Sequence, residues 1–248
     1  MRRVAQLLLF YLLLLWLGAM LLTGNLLVLP LALLPARWRE PLVQSLISAT
    51  FRLFLAGCCT CRLMQLDLHA LDDLNTRQGG LLLVANHPSM IDVFLVLSRV
   101  RHSLCLLKAD LSSNAFLAAG AHLAGYVSNR RADGMIRMAA QALTQGHRLL
   151  VFPEGTRTVR LPLNPLKPGV GLMAKRAQAP LQTILIRTNS PYLCKGWPIW
   201  RPPTFPVIYQ ARLGACLPAS DSVTDIVERL QGQFLQELEA PIDPVFRL

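Results

Sequence analysis

The sequence has few charged residues and a marked shortage of acidic ones. Only 16% of its 248 residues are charged, and 25 basic residues against 14 acidic ones give a formal net charge of +11. This charged fraction is low for a soluble enzyme. A basic chain can bind nucleic acid, but here the arginines are interleaved with leucine and proline beside apolar stretches. We therefore expect an anionic membrane surface, and no nucleic acid, as the partner.

Charge is missing altogether between Val4 and Ala36. As a single helix this run would be about 50 Å long, against a hydrocarbon core of about 30 Å. We therefore expect Gly24-Asn25 or Pro30 to break it. Two arrangements are open: one membrane span from about Val4 to Leu22 followed by an interfacial piece, or two short helices that enter one leaflet. A cleavable signal peptide is the competing interpretation, but the apolar run is long for one.

Cysteine patterns that bind metals are also absent. Cys58 and Cys61 have a Cys-x-x-Cys spacing, but the sequence has no second such pair and no matching histidine group to complete a zinc site. We predict no metal site and no disulfide. No internal repeat is present either.

From Gly80 onward, short apolar runs alternate with helix-like stretches. We predict strands at Leu81–Ala85, Leu104–Leu107, Leu149–Phe152, Thr183–Ile186 and Val207–Tyr209, and helices at Pro88–Leu97, Met135–Leu143, Gly169–Ala177 and Val223–Glu239. Such alternation predicts an α/β fold, with a largely parallel sheet flanked by helices, that follows an N-terminal membrane-associated helical segment. We assign residues 1–65 to membrane-anchoring helices and residues 66–248 to the α/β domain.

A histidine and an aspartate stand five positions apart in the segment Asn86-His87-Pro88-Ser89-Met90-Ile91-Asp92. Within one helix this offset is a turn of about 140°, so the two side chains would not share a face. They meet only if His87 precedes a helix, with Pro88 at its first position and Asp92 in its first turns. The pair then supplies a general base and a carboxylate that orients it. No serine or cysteine stands in a nucleophile-elbow context.

Two further blocks follow, Gly125-Tyr126-Val127-Ser128-Asn129-Arg130 and Phe152-Pro153-Glu154-Gly155-Thr156-Arg157. Together with the His-x-x-x-x-Asp segment, they resemble the glycerolipid acyltransferase family over roughly residues 80 to 190. A fourth block is only partly present, because Thr183 stands where a second proline is common.

The resemblance implies roles for seven residues. His87 and Asp92 would be catalytic, with His87 taking the proton from an acceptor hydroxyl. The substrate-binding residues would be Arg130, Glu154, Gly155, Thr156 and Arg157. In this scheme the two arginines engage the acceptor phosphate, and Glu154 and Gly155 shape the acceptor loop. Arginine suits this task because its planar fork meets phosphate oxygens in bidentate fashion.

The expected function is transfer of a fatty acyl group from acyl-CoA or acyl-carrier protein to a lysophospholipid, with lysophosphatidic acid as the leading acceptor and without a cofactor. Three alternatives are open: the same transfer to an ornithine lipid, glycolipid or polyene lipid; hydrolysis of the thioester; and a non-catalytic membrane lipid-binding protein. We expect a bacterial inner-membrane location with the catalytic domain on the cytoplasmic side. The aromatic and basic segment 189–206, with Trp197 and Trp200, fits contact with lipid headgroups.

Overall fold

The N-terminal part of the chain is helical. The computed structural model describes residues 2–107, 114, 116–128, 132–219 and 222–239. Helix α1 (Arg2–Leu27) is followed by a short 3₁₀ helix (Leu29–Leu33) and by helix α2 (Ala36–Thr60). By length and composition alone, the stretches Arg3–Leu33 and Ala36–Thr60 are long and apolar enough to cross a membrane.

Helix α1 runs through Gly24-Asn25 and ends at Leu27, just before the 3₁₀ helix that contains Pro30. The expected break therefore lies at Pro30 and not at Gly24-Asn25. The Asn25 side chain explains why. Its amide nitrogen donates to the carbonyl of Leu21 at 2.8 Å, one turn earlier, and its oxygen accepts from the N–H of Gly120 at 2.7 Å. Asparagine usually weakens a helix interior by bonding to local backbone, whereas here it ties α1 to the neighbouring domain.

The two helices differ in how much protein covers them. In the most apolar window of each, 11% of residues are buried in the first stretch and 39% in the second. Helix α2 packs against the α/β domain, where Phe51 stacks on Phe94 with ring centroids 4.0 Å apart. Among the described residues, α1 carries eight exposed large apolar side chains and α2 carries four.

A seven-stranded sheet forms the α/β domain. Its strands are β1 (Met64–Asp67), β2 (Leu81–Ala85), β3 (Ser103–Leu107), β4 (Val127–Ser128), β5 (Arg148–Val151), β6 (Leu181–Thr188) and β7 (Val207–Leu217), in the order β1-β7-β6-β2-β5-β3-β4. All neighbouring pairs are parallel except β6 with β7. The helices are α3 (Asp92–Arg99), α4 (Ala118–Leu123), α5 (Ala132–Thr144), α6 (Gly169–Ala177) and α7 (Val223–Glu239).

Both faces of the sheet are covered. Along β2, Leu81, Leu83 and Ala85 pack into one core cluster with side chains of α2 and α3, while Leu82 and Val84 pack into a second with side chains of α5, α6 and α7. This alternation follows from the two-residue period of a strand. Because both faces are buried, β2 is apolar throughout, as the sequence predicted.

The predicted α/β fold with a largely parallel sheet is confirmed. All five predicted strands are present, and α6 and α7 have the predicted bounds. The helix predicted from Pro88 starts instead at Asp92. Two strands were not predicted: β4, and β1, whose first two residues fall in the segment assigned to membrane anchoring.

Candidate active site

Strands β2 and β5 bring the two main motifs together. They are parallel neighbours, with Val84 opposite Val151. The His87 segment leaves the carboxyl end of β2, and the segment beginning at Phe152 leaves the carboxyl end of β5. Since parallel neighbours end at the same edge of a sheet, the two segments emerge side by side.

His87 and Asp92 are in contact. Nδ1 of His87 lies 2.9 Å from Oδ2 of Asp92, the same oxygen that accepts from the N–H of Ser89 at 2.8 Å. The Asp92 side chain thus closes the turn from 88 to 91, which explains why α3 begins four residues later than predicted. With the Nδ1 proton directed at Asp92, Nε2 carries the free lone pair, and it has no hydrogen-bond partner among the residues that the structure describes.

The Asp92 carboxylate is fully buried, while the His87 side chain keeps 16% exposure. Burial raises the pKa of Asp92 above the usual aspartate range, because loss of water outweighs the hydrogen bonds from His87 and Ser89. Oδ1 of Asp92 is buried without a hydrogen-bond partner among the described residues. A positive charge on the His87 ring would compensate this buried negative charge.

Phe152 holds the imidazole from its face. The rings of His87 and Phe152 stack with centroids 4.0 Å apart and an interplanar angle of 22°. The ring is therefore fixed in its plane by Asp92 and against its face by Phe152. An aromatic face also stabilises a neighbouring cation, so this contact suits a histidine that gains a proton during the reaction.

Glu154 is a buried carboxylate with a full set of donors. Oε1 accepts from the backbone N–H of His87 at 2.8 Å, and Oε2 accepts from the N–H of Asn164 at 2.9 Å. The hydroxyl of Thr158 lies 2.9 Å from both oxygens, and the N–H of Thr158 donates to the His87 carbonyl at 2.7 Å. Glu154 thus joins the turn of residues 87–92, the catalytic turn, to the loop that follows β5.

The remaining residues of this loop differ in exposure and in contacts. Gly155 has φ +69°, a conformation that glycine adopts without steric cost, and Thr156 is exposed beside it. Nη1 of Arg157 donates to the carbonyls of Leu193 and Cys194 at 2.9 and 3.0 Å. Part of the Arg157 guanidinium therefore holds the segment after β6. Its predicted role toward a phosphate stays a prediction.

Arg130 lies outside the described residues. The residues just before it, Val127–Ser128, form β4 and pair with β3 at the end of the sheet. Thr183, which replaces the second proline, is buried in β6, and its hydroxyl donates to the carbonyl of Ala215 at 3.0 Å. Its side chain therefore contacts the neighbouring strand β7.

Sequence reasoning missed the supports of the catalytic turn. The hydroxyl of Ser89 donates to the carbonyl of Tyr192 at 2.8 Å and lies 3.2 Å from the hydroxyl of Tyr209. Asn86 bridges to β6, since its side chain donates to the carbonyl of Ile186 and accepts from the N–H of the same residue. These partners lie 100 or more residues away along the chain, where no local pattern marks them.

Comparisons with known proteins agree with this geometry. Residues 65–187 match the Acyltransferase family. The chain is 30% identical over 119 residues to the 1-acyl-sn-glycerol-3-phosphate acyltransferase alpha of Ovis aries, and 32% identical over 120 residues to that of Homo sapiens. Each match covers 45% of this chain and 42% of the relative, so the chain matches less than half the length of these proteins.

A solved structure shares the fold. The crystal structure of the 1-acyl-sn-glycerophosphate (LPA) acyltransferase PlsC from Thermotoga maritima matches with a TM-score of 0.71 over 98% of this chain and 100% of that chain, at 19% identity. At this identity the likeness shows a shared fold. The family match places residues 65–187 in the Acyltransferase family, and the curated relatives are glycerolipid acyltransferases.

Proposed function

We propose that this protein transfers a fatty acyl group from an acyl thioester, acyl-CoA or acyl-carrier protein, to the free hydroxyl of lysophosphatidic acid, giving phosphatidic acid. The observation that carries the proposal is the His87–Asp92 contact, which leaves Nε2 of His87 as a base at the edge of the sheet. The family match and the names of the curated relatives support the choice of reaction and acceptor.

The reaction needs one base and no covalent enzyme intermediate. Nε2 of His87 takes the proton from the acceptor hydroxyl as its oxygen attacks the thioester carbonyl carbon. The carbon–sulfur bond breaks, and the departing thiolate takes the proton back from the imidazolium. Asp92 holds the tautomer and stabilises the transient positive charge. The acyl thioester is a co-substrate, and no other cofactor enters the scheme.

The acceptor would bind where the loop after β5 meets the catalytic turn. We propose Arg130 and Arg157 as the cations that engage the acceptor phosphate. The exposed turn at Gly155 and Thr156 would lie against the same group, while Glu154 holds the loop in place. An acceptor other than lysophosphatidic acid gains no support from Thr183, because that hydroxyl is bonded within the sheet.

The apolar surface of α1 supports a membrane location. We propose that α1 lodges in the bilayer, in the bacterial inner membrane, with the α/β domain on the cytoplasmic side. The lipid acceptor would then reach the site without leaving the bilayer. Acyl thioester donors dissolved in the cytoplasm would reach it from the other side.

The test is acyl transfer by the purified, detergent-solubilised protein. Palmitoyl-CoA and palmitoyl-carrier protein are supplied as donors, and lysophosphatidic acid and a mixed lipid extract as acceptors. We expect phosphatidic acid from the wild type and a loss of about 100-fold or more in His87→Ala, the usual scale of general base catalysis. His147→Ala is the matched control, because His147 lies at the amino end of β5, whereas His87 follows the carboxyl end of β2.

The products separate the alternatives. Acylation of another lipid in the extract that depends on His87 would replace lysophosphatidic acid as the acceptor. Equal activity in the wild type and in His87→Ala would contradict the proposed base. No transfer from either donor to any acceptor would favour a non-catalytic lipid-binding role.

A further inference from the structure

The segment after β6 presents two apolar side chains to solvent. Ile199 is 42% exposed and Trp200 is 68% exposed. Trp197, three residues earlier, is instead packed: its ring meets Tyr192 edge to face, with centroids 6.3 Å apart. From the sequence, both tryptophans were expected to contact lipid headgroups. In the structure only Trp200 is exposed enough to do so.

This loop has a defined shape. The N–H of Trp197 donates to the carbonyl of Cys194, and the N–H of Arg201 donates to that of Pro198, each at 3.0 Å. Nε1 of Trp197 donates to the Arg201 carbonyl at 2.9 Å, and the Arg201 guanidinium lies 4.6 Å from the centroid of the Trp197 ring. These bonds fix the backbone on both sides of Trp200. Little backbone conformational entropy is therefore lost when its side chain meets a partner.

The residues that flank the loop pack against α1. Phe10 of α1 packs against Tyr192 and Phe205 on either side of the loop, with ring centroids 6.0 and 5.6 Å away. Neighbouring residues on another face of α1, such as Leu12 and Leu15, are 61% and 72% exposed. The segment that carries Ile199 and Trp200 is therefore held against α1 near both of its ends.

The charged residues of this segment are both basic. Residues 189–206 contain Lys195 and Arg201 and no acidic residue. Exposed tryptophan beside basic residues is the composition of the interface between water and an anionic bilayer.

We propose that the loop of residues 194–201 is a second lipid-contact element, which inserts Ile199 and Trp200 into the headgroup region of an anionic bilayer next to α1. This inference rests on the membrane association included in the proposed function. It also links the bilayer to the chemistry. The Leu193 carbonyl, just before the loop, accepts from the N–H of Met90 at 3.1 Å, and Arg157 donates to the same carbonyl. Insertion of the loop would therefore set the height of the catalytic turn above the membrane.

The test uses the fluorescence of single tryptophans. The chain has four, Trp16, Trp38, Trp197 and Trp200. One full-length variant keeps Trp200 and has the other three replaced by phenylalanine. A matched control keeps Trp197 instead. Both are incorporated into vesicles of phosphatidylcholine and phosphatidylglycerol, with and without bromine on the acyl chains, and association is checked by flotation.

We expect the emission of Trp200 to shift to shorter wavelength on vesicles and to be quenched by brominated lipid, with weaker quenching of Trp197. Flotation without any quenching of Trp200 would overturn the loop proposal and leave α1 anchoring intact. Failure to float would overturn both the anchoring by α1 and the lipid contact of the loop. The proposed reaction is tested independently, by acyl transfer in detergent.

If the triple replacements do not fold, the wild type and Trp200→Phe are compared in the same brominated vesicles. The share of emission that brominated lipid quenches must fall in Trp200→Phe. An unchanged share would overturn the proposal.

Discussion

Replacing Glu154 by glutamine tests whether this residue holds the catalytic turn or touches the acceptor. The two carboxylate oxygens accept from two backbone donors, the N–H groups of His87 and Asn164. A carboxamide has one oxygen, so in either orientation its NH₂ group faces one of these N–H groups. The hydroxyl of Thr158 can rotate to adapt, but one buried N–H loses its acceptor.

An unsatisfied buried donor costs about 1–3 kcal/mol. For a chain of this size, that loss lowers Tm by roughly 2–12 °C. If the N–H of His87 is the donor left unpaired, the base also loses its fixed position, and we expect kcat to fall by about 10- to 100-fold. KM for lysophosphatidic acid should change little, because in this view Glu154 does not meet the acceptor.

The assays are thermal unfolding in detergent and steady-state acyl transfer over a range of lysophosphatidic acid concentrations. Glu228→Gln is the matched control, because Glu228 is exposed on α7. Its Tm and kinetics should equal those of the wild type. The reasoning is refuted if Glu154→Gln keeps the wild-type Tm and kcat but raises KM for the acceptor. That result would make Glu154 a substrate ligand.

Two further predictions concern the immediate contacts of His87. Phe152→Leu removes the aromatic face and should lower kcat by about 3- to 10-fold, whereas Phe152→Tyr should keep most activity; equal rates for the two variants in the acyl-transfer assay would count against the stacking role. Asp92→Asn should abolish most activity and also change how stability depends on pH. The pKa of Asp92 is raised in the folded state, so folding favours the protonated carboxyl. The wild type is therefore most stabilised by this group below about 3.9, the unfolded value, and loses that stability as pH rises through the folded pKa. Asparagine does not titrate, so the Tm of Asp92→Asn minus the Tm of the wild type should increase from acidic to neutral pH, and a constant difference would contradict the raised pKa.

The sequence was sufficient to predict the elements that follow from local periodicity. Strand β2 is continuously apolar because both of its faces are covered, and α7 places Ile226, Leu230 and Phe234 on one buried side. Ser222 caps the start of this helix, since its hydroxyl accepts from the N–H of Asp225 at 3.1 Å. The contact of His87 with Asp92 could be predicted for a related reason, because an offset of five residues permits it only at the start of a helix.

Features that depend on distant partners could not be predicted. Strand β1 is four residues long and is defined by its pairing with β7, more than 130 residues later. Asn25 has the local signature of a helix breaker, but α1 continues past it, and its side chain accepts from the N–H of Gly120 in α4. The turn after β2 was expected to start α3 at Pro88, because the sequence does not reveal that the Asp92 carboxylate bonds back to the N–H of Ser89.

The arrangement around His87 explains why the two motifs must occur together. The ring is held by Asp92, from its own segment, and by Phe152, from the segment after β5. The backbone on either side of that ring is bonded to Glu154 through its N–H and to Thr158 through its carbonyl. A base on an exposed turn would otherwise sample many orientations. Since its ring and its backbone are each fixed by the second segment, loss of either motif should misplace the base even when the other is intact.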